Sequence, residues 1–401
     1  MFFGWYVVAG TFSAQLLVVG FFTYSVSLLV GPVREEFGVS VEQVLYSMSL
    51  GTLLGLAVVP ICGALIDRYP VRWLTSGGVV LFALGLWWTG NSSSITEYVV
   101  VFGLTFCLTN SLAGSMASSA VVSRWFTRSR GKALGIAAMG TSVGGILVPV
   151  LVNRWIIDYG WRTAMENLAL LAVLVVLPVV ILSVRGRPAD IGLQVEEPAA
   201  SERITHTPGL DLGLTTRQIL TNQAYWFIGL TLGALFCVYG AVLSILGHYA
   251  TDLGYRPEQA ARLIMILAIS GLVGKLLFGL LADRLNLKFG LWAAIGLVAL
   301  AFVQLALEPA WPLVVLAVVM LGLAAGGMLP VWGSMMAKAF GLVSYGKAMG
   351  LMGPVITLAV FPGFTLIGRL YDLSGSHQLG ISVCAGVSVL AAMLLIPLKL
   401  E

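Results

Sequence analysis

The chain has 401 residues, of which 59% are hydrophobic and 10% charged, with a formal net charge of +4. Soluble domains carry about 25% charged residues, so a water-soluble fold of this length lacks the polar surface to cover itself, whereas lipid removes that need. The small net charge points to no nucleic-acid partner.

The apolar run from Trp5 to about Val30 is too long for a signal-peptide core, and Met1-Phe2-Phe3-Gly4-Trp5 has no basic leader. It reads as a first transmembrane helix with Trp5 in the interfacial belt. About 20 apolar residues cross a bilayer core. Twelve such stretches are predicted: 5–30, 44–66, 73–91, 97–124, 131–153, 162–184, 222–250, 258–282, 288–307, 311–338, 346–369 and 377–398. The one long polar segment separates the sixth from the seventh. The expected organisation is an all-α membrane protein with a six-helix bundle over 1–184, a cytoplasmic linker over 185–220 and a second bundle over 221–401. The 47 glycines suit close helix packing in lipid. Cys62, Cys107, Cys237 and Cys384 form no CxxC pair, so neither a disulfide framework nor a metal site is expected.

Fifteen of the 22 Lys and Arg residues fall on the face that carries both termini, six on the other, and Lys275 lies inside a span. By the positive-inside bias both termini are predicted to be cytoplasmic. The expected location is a bacterial inner (cell) membrane.

Two motifs recur at nearly one offset. Gly63, Asp67, Arg68 and Arg72 match Gly279, Asp283, Arg284 and Lys288 at 216 residues, and Gly131-Lys132-Ala133-Leu134-Gly135 matches Gly346-Lys347-Ala348-Met349-Gly350 at 215. The halves are therefore parallel repeats, and transporters built so place substrate between them. In the Gly-x-x-x-Asp-Arg motif the glycine permits close helix contact, and the aspartate suits an arginine or a helix N-terminus. Such contacts would hold one state of a gate; a plain positive-inside anchor is the alternative.

Lys275 lies eight residues before Asp283, roughly 12 Å deeper, near the expected midplane. A cation there is costly and marks a functional site by default; snorkelling or pairing within the bundle is the structural alternative. Its repeat mate is Val59, so the fold does not require the charge. No Asp or Glu is placed at comparable depth, which suits an anionic substrate. His248, toward the outer end of the seventh span, has the titration range of a proton carrier. His206 and His377 are placed in the linker and in an outer loop, without a role. Asn110 lies mid-span and either ties helices or binds substrate; Gln15, Tyr24, Tyr239 and Trp332 are further candidates for a cavity lining. Gly-Lys pairs occur without a following Ser or Thr, so no Walker A loop exists. No catalytic or metal-spaced cluster is seen. The expectation is no enzyme, no cofactor and no metal.

Phe3-Gly4-Trp5, the two Asp-Arg motifs and the stretch Val122-Ser123-Arg124-Trp125-Phe126-Thr127-Arg128-Ser129-Arg130-Gly131-Lys132-Ala133-Leu134-Gly135 carry a family resemblance, with Gly144-Gly145, Pro149 and Gly160-Trp161-Arg162. With these the chain resembles a major facilitator superfamily transporter over its whole length, and more narrowly the monocarboxylate porter and oxalate–formate antiporter group. In that group a helix 8 arginine, eight residues before the Asp-Arg motif, binds the substrate carboxylate. Lys275 holds that position here, a point charge in place of a bidentate fork. Animal members carry an aspartate implicated in proton coupling where Gly271 stands. Oxalate exchangers have a second cation in helix 11, and none occurs between Gly350 and Leu366, which disfavours a dicarboxylate. The resemblance implies a monomeric alternating-access carrier of a small organic anion, a monocarboxylate, coupled to protons. Lys275 would attract the carboxylate, Asn110, Tyr24, Tyr239 and Trp332 would shape the pocket, and Lys275 or His248 would serve proton coupling. An exporter of a drug-like or amphipathic metabolite and a ligand sensor that moves nothing are the rival readings.

Overall fold

The computed structural model describes residues 2–126, 130–186, 188, 192, 214–282 and 287–397. Every regular element among them is helical. In chain order these are α1 (Gly4–Tyr24, with a π-helical turn at Gln15–Val19), α2 (Val26–Phe37), α3 (Val41–Arg68) and α4 (Val71–Gly90). Then come α5 (Ile95–Ala113), α6 (Ser115–Trp125), α7 (Arg130–Leu171) and α8 (Leu177–Ser183). After the linker follow α9 (Thr216–Thr221), α10 (Gln223–Asp252), α11 (Pro257–Ala282), α12 (Leu287–Ala306), α13 (Trp311–Ser374) and α14 (His377–Leu394). Most of the predicted linker lies outside the described residues.

The spans differ in one respect from the twelve expected. Among the described residues eleven helical stretches are long and apolar enough to cross a membrane, because 131–153 and 162–184 merge into a single stretch, Ala133–Ser183, of 51 residues. At 1.5 Å per residue that is about 77 Å, enough for two crossings of a core about 30 Å thick. The reversal is at Gly160, whose φ of 85° and ψ of 164° are open to glycine and strained for any side chain. The next two residues secure it: Arg162 donates to the Gly90 carbonyl at 2.6 Å and lies 4.6 Å over the Trp161 ring. Helix α13, 64 residues long, likewise holds two spans, Trp311–Met328 and Ala348–Ser374.

The chain forms two compact units: Met1–Val26 with Leu54–Leu210, and Ser27–Leu53 with Asp211–Glu401. Lipid gives apolar helices no hydrophobic reason to associate, so close backbone approach and buried hydrogen bonds carry the packing. In the first unit, a Cβ on Gly20 of α1 would sit 2.8 Å from the Gly144 Cα of α7, so only glycine fits there. Phe21 and Phe22 of α1 meet Phe82 of α4 and Phe102 of α5 edge-on or tilted, with ring centroids 5.3–6.2 Å apart. In the second unit, α11 and α13 meet through small residues. A Cβ on Gly274 would lie 2.9 Å from Leu323 backbone, one on Gly322 2.6 Å from the Ser270 Cβ, and one on Gly326 2.7 Å from the Lys275 nitrogen.

The segment 27–53 packs within the second unit for identifiable reasons. Asp372 accepts from the backbone N–H groups of Val41 at 3.1 Å and Glu42 at 2.9 Å, satisfying two donors left over at the start of α3. Ser49 meets the Thr365 hydroxyl at 2.6 Å and donates to the Phe361 carbonyl at 3.0 Å. A Cβ on Gly247 would lie 2.9 Å from the Ser27 carbonyl oxygen, which fixes how closely α10 can approach α2.

Candidate functional site

Lys275 is half-buried within α11. It lies seven residues before Ala282, about 8 Å beyond the centre of the helix toward the motif end. Its depth and facing are set by the small-residue seam, because Gly326 abuts its own peptide nitrogen. Tyr239 of α10 and Trp332 of α13, in the same unit, are also half-buried. The Trp332 Nε1–H is buried without a hydrogen-bond partner, and its ring lies edge-on to Phe236 with centroids 6.2 Å apart. A buried donor left open is costly, so this indole N–H is ready to meet an acceptor that arrives with a ligand.

Asn110 and Tyr24 belong to the first unit, and each stands beside a helix break. Tyr24, 8% exposed, ends α1, and the next residue, Ser25, leaves the helix at φ −106° and ψ −14° with its hydroxyl buried and unpaired. Asn110 lies four residues before Gly114, where φ −89° and ψ −156° separate α5 from α6. A Cβ on Gly114 would collide with the Asn110 carbonyl, so the break depends on glycine. The Asn110 amide donates to Phe106 within its own helix at 3.0 Å, and the side chain is half-buried. Broken helices of this sort are where transporters expose backbone polar groups to a substrate. Gln15 turns out to be a tie: it is 2% exposed, donates to Ser118 at 2.8 Å and to the Ala137 carbonyl at 2.9 Å, and accepts from Ser115 at 3.1 Å. That amide joins α1, α6 and α7 and is not open to a ligand.

Of the repeated motif, Asp283 and Arg284 lie outside the described residues, as do the side chain of Asp67 and the surroundings of Gly279. Among the described residues, a Cβ on Gly63 would meet nothing within 4 Å. Arg68 is exposed. Arg72 lies 5.1 Å over the Trp73 ring, with its Nε buried and unpartnered. Arg124 of α6 donates to the Ile66 carbonyl at 3.0 Å, immediately before Asp67, and so caps the end of α3. Lys288 donates to the Ile396 carbonyl at 2.8 Å and lies 5.3 Å over the Trp292 ring.

His248 is 5% exposed and does not stand alone. Its Nδ1 meets Nε2 of His377 at 3.0 Å, and Oδ2 of Asp252 lies 3.6 Å from the first ring and 3.2 Å from the second. His377 is therefore no loop residue. It opens α14 behind the cap of Ser376, whose side chain accepts from Gln378. Tyr371 stacks on His377 at 4.3 Å, while Arg34 donates to the Tyr371 hydroxyl at 3.3 Å. The His-x-x-x-Asp spacing of 248 and 252 was a usable signal, since residues four apart share a helix face. The third member, 129 positions from His248, was not.

A helical protein with eleven stretches long and apolar enough to cross a membrane among its described residues, and with a lysine inside one of these helices, is of the membrane-transporter class. The Major Facilitator Superfamily pattern matches residues 11–353, and the chain belongs to that superfamily. It is 27% identical over 399 residues to Monocarboxylate transporter 11 of Mus musculus, covering 95% of this chain and 84% of that protein. It is also 27% identical over 388 residues to the Riboflavin transporter RibJ of Trypanosoma cruzi (strain CL Brener), covering 82% and 79%. Among solved structures, a D-xylose-proton symporter superposes with a TM-score of 0.76 at 17% identity, covering 98% of this chain and 97% of that one. The protein is thus an integral, multi-pass membrane transporter of the major facilitator fold, not an enzyme.

Proposed function

We propose that the protein carries a small organic monoanion of the monocarboxylate class by alternating access, coupled to protons, as a monomer with both termini cytoplasmic. The observation that carries the proposal is Lys275, a lysine within a span whose repeat mate is Val59. An intramembrane cation at one of two equivalent positions serves substrate choice more readily than fold. Similarity to a monocarboxylate transporter over nearly the whole chain supports the same class. Trp332, with its open indole donor, and Asn110 and Tyr24, beside helix breaks, complete the candidate contacts with Tyr239. The Gly-x-x-x-Asp-Arg copies act as gate contacts that form and break in the cycle. The open surroundings of Gly63 suit a contact made in another state. Proton coupling falls to Lys275 or to His248.

Purified protein in liposomes tests this by uptake of labelled monocarboxylates under an inward proton gradient. The panel includes a flavin, because one relative is a riboflavin transporter. Acid-stimulated monocarboxylate flux is expected; flux of the flavin alone, or none, would sink the substrate assignment.

A further inference from the structure

We propose that His248, Asp252 and His377 form a three-ligand site for a divalent transition-metal ion of the zinc class, joining the end of α10 to the start of α14. Three donor atoms converge on one point. His248 Nδ1 and His377 Nε2 are 3.0 Å apart, and Asp252 Oδ2 is 3.6 Å and 3.2 Å from them. Tetrahedral bonds of about 2.0–2.1 Å place donor atoms about 3.3 Å apart, so the observed triangle already has the size of one face of such a site.

With one proton in the triangle, one ring N–H bridges to the other ring at 3.0 Å and the carboxylate oxygen competes for the same N–H. A cation at the centre meets all three lone pairs. The donor set, two imidazoles and one carboxylate, suits zinc or cobalt and not magnesium or calcium, which take all-oxygen shells.

The shell around the donors holds them in place. Tyr371 stacks on His377 at 4.3 Å and lies edge-on to His248 at 5.2 Å, and Tyr249 lies edge-on to His377 at 5.8 Å. Arg34 directs its charge to the Tyr371 hydroxyl at 3.3 Å. The imidazoles are nearly buried, with 5% and 3% of the side chains exposed, while Asp252 is 35% exposed. Entry and the fourth coordination position therefore lie on the carboxylate side, to be filled by water or by an anion from solution.

The test uses full-length purified protein with any affinity tag removed, titrated with cobalt(II) and then with zinc(II). One cobalt per chain is expected, with the intense visible bands of a four-coordinate site, bleached by zinc and unmoved by a hundredfold excess of magnesium. His248→Gln and His377→Gln should each weaken binding by at least about tenfold. His206→Gln, at the only other histidine, should leave it unchanged. No saturable cobalt binding, an octahedral spectrum alone, or affinity unchanged from the parent protein in both ligand variants would overturn the site. If those variants do not fold, Asp252→Asn decides, since its side chain is part-exposed: weakened binding supports the site, and unchanged affinity removes it.

Discussion

Helices α3 and α11 are copies of one repeat, and their surroundings have diverged. Between α11 and α13, Cβ atoms added to Gly274, Gly322 or Gly326 would strike backbone, and along this seam Lys275 is half-buried. In α3, Val59 is 42% exposed, Ile61 is 60% exposed, and among the described residues Gly63 has nothing within 4 Å of where a Cβ would be. The two helices thus differ in packing, with a tight small-residue seam along one and open surroundings, among the described residues, along the other. The repeat keeps the start of the helix, Val41 in one copy and Pro257 in the other, 216 positions apart. It does not preserve what the helix touches, and a buried charge is tolerable only where the neighbours are already committed.

The largest expected effect breaks the comparison at its charge. Lys275→Ala should lower transport about a hundredfold, the ~3 kcal/mol of a lost charge-assisted hydrogen bond, with normal expression and melting. Adding Val59→Lys to that variant should not restore flux, because the α3 position has a different environment; restored flux would show that the two positions are interchangeable. Next is the seam: Gly326→Ala should cost about 1–3 kcal/mol by overpacking, read as a lower melting temperature in detergent. Asp372→Ala should cost about 1 kcal/mol, since it removes the acceptor for the Val41 and Glu42 N–H groups. The smallest effect has the opposite sign. Gly63→Ala should raise stability by about 0.5–1 kcal/mol, the ordinary helix gain of alanine over glycine, with nothing in its way. Slower transport in that more stable variant would show that Gly63 makes its contact elsewhere in the cycle, whereas unchanged transport would leave the glycine without a gating role.

Much of this was legible from residue order. Apolar length marked the spans, because lipid imposes a single rule on every crossing segment. The two crossings predicted over 131–153 and 162–184 run together in one helical stretch, and only the backbone at Gly160, with φ 85°, shows where they part. Gln15 and Asn110 could not be told apart from the sequence, since either amide suits a tie or a ligand. Gln15 is consumed by Ser118, Ala137 and Ser115, while the Asn110 amide bonds, among the described residues, to Phe106 of its own helix, beside a break. His377 was passed over because its partners lie on another helix, 125 and 129 positions back.

The sequence by itself determined that the chain lives in lipid, that it is a doubled helical unit, and that its charge at 275 is unmatched in the repeat. Those follow from composition, period and offset, which are properties of the chain taken in order. Only the tertiary structure decided which glycines are pressed against backbone and which face open space, and which amide is spent on packing. It alone brought His248, Asp252 and His377 to within 3.6 Å of one another. The reason is physical: a hydrogen bond or a coordination sphere is set by the crossing of helices far apart in the chain, and that crossing is fixed by small-residue seams whose partners residue order does not name.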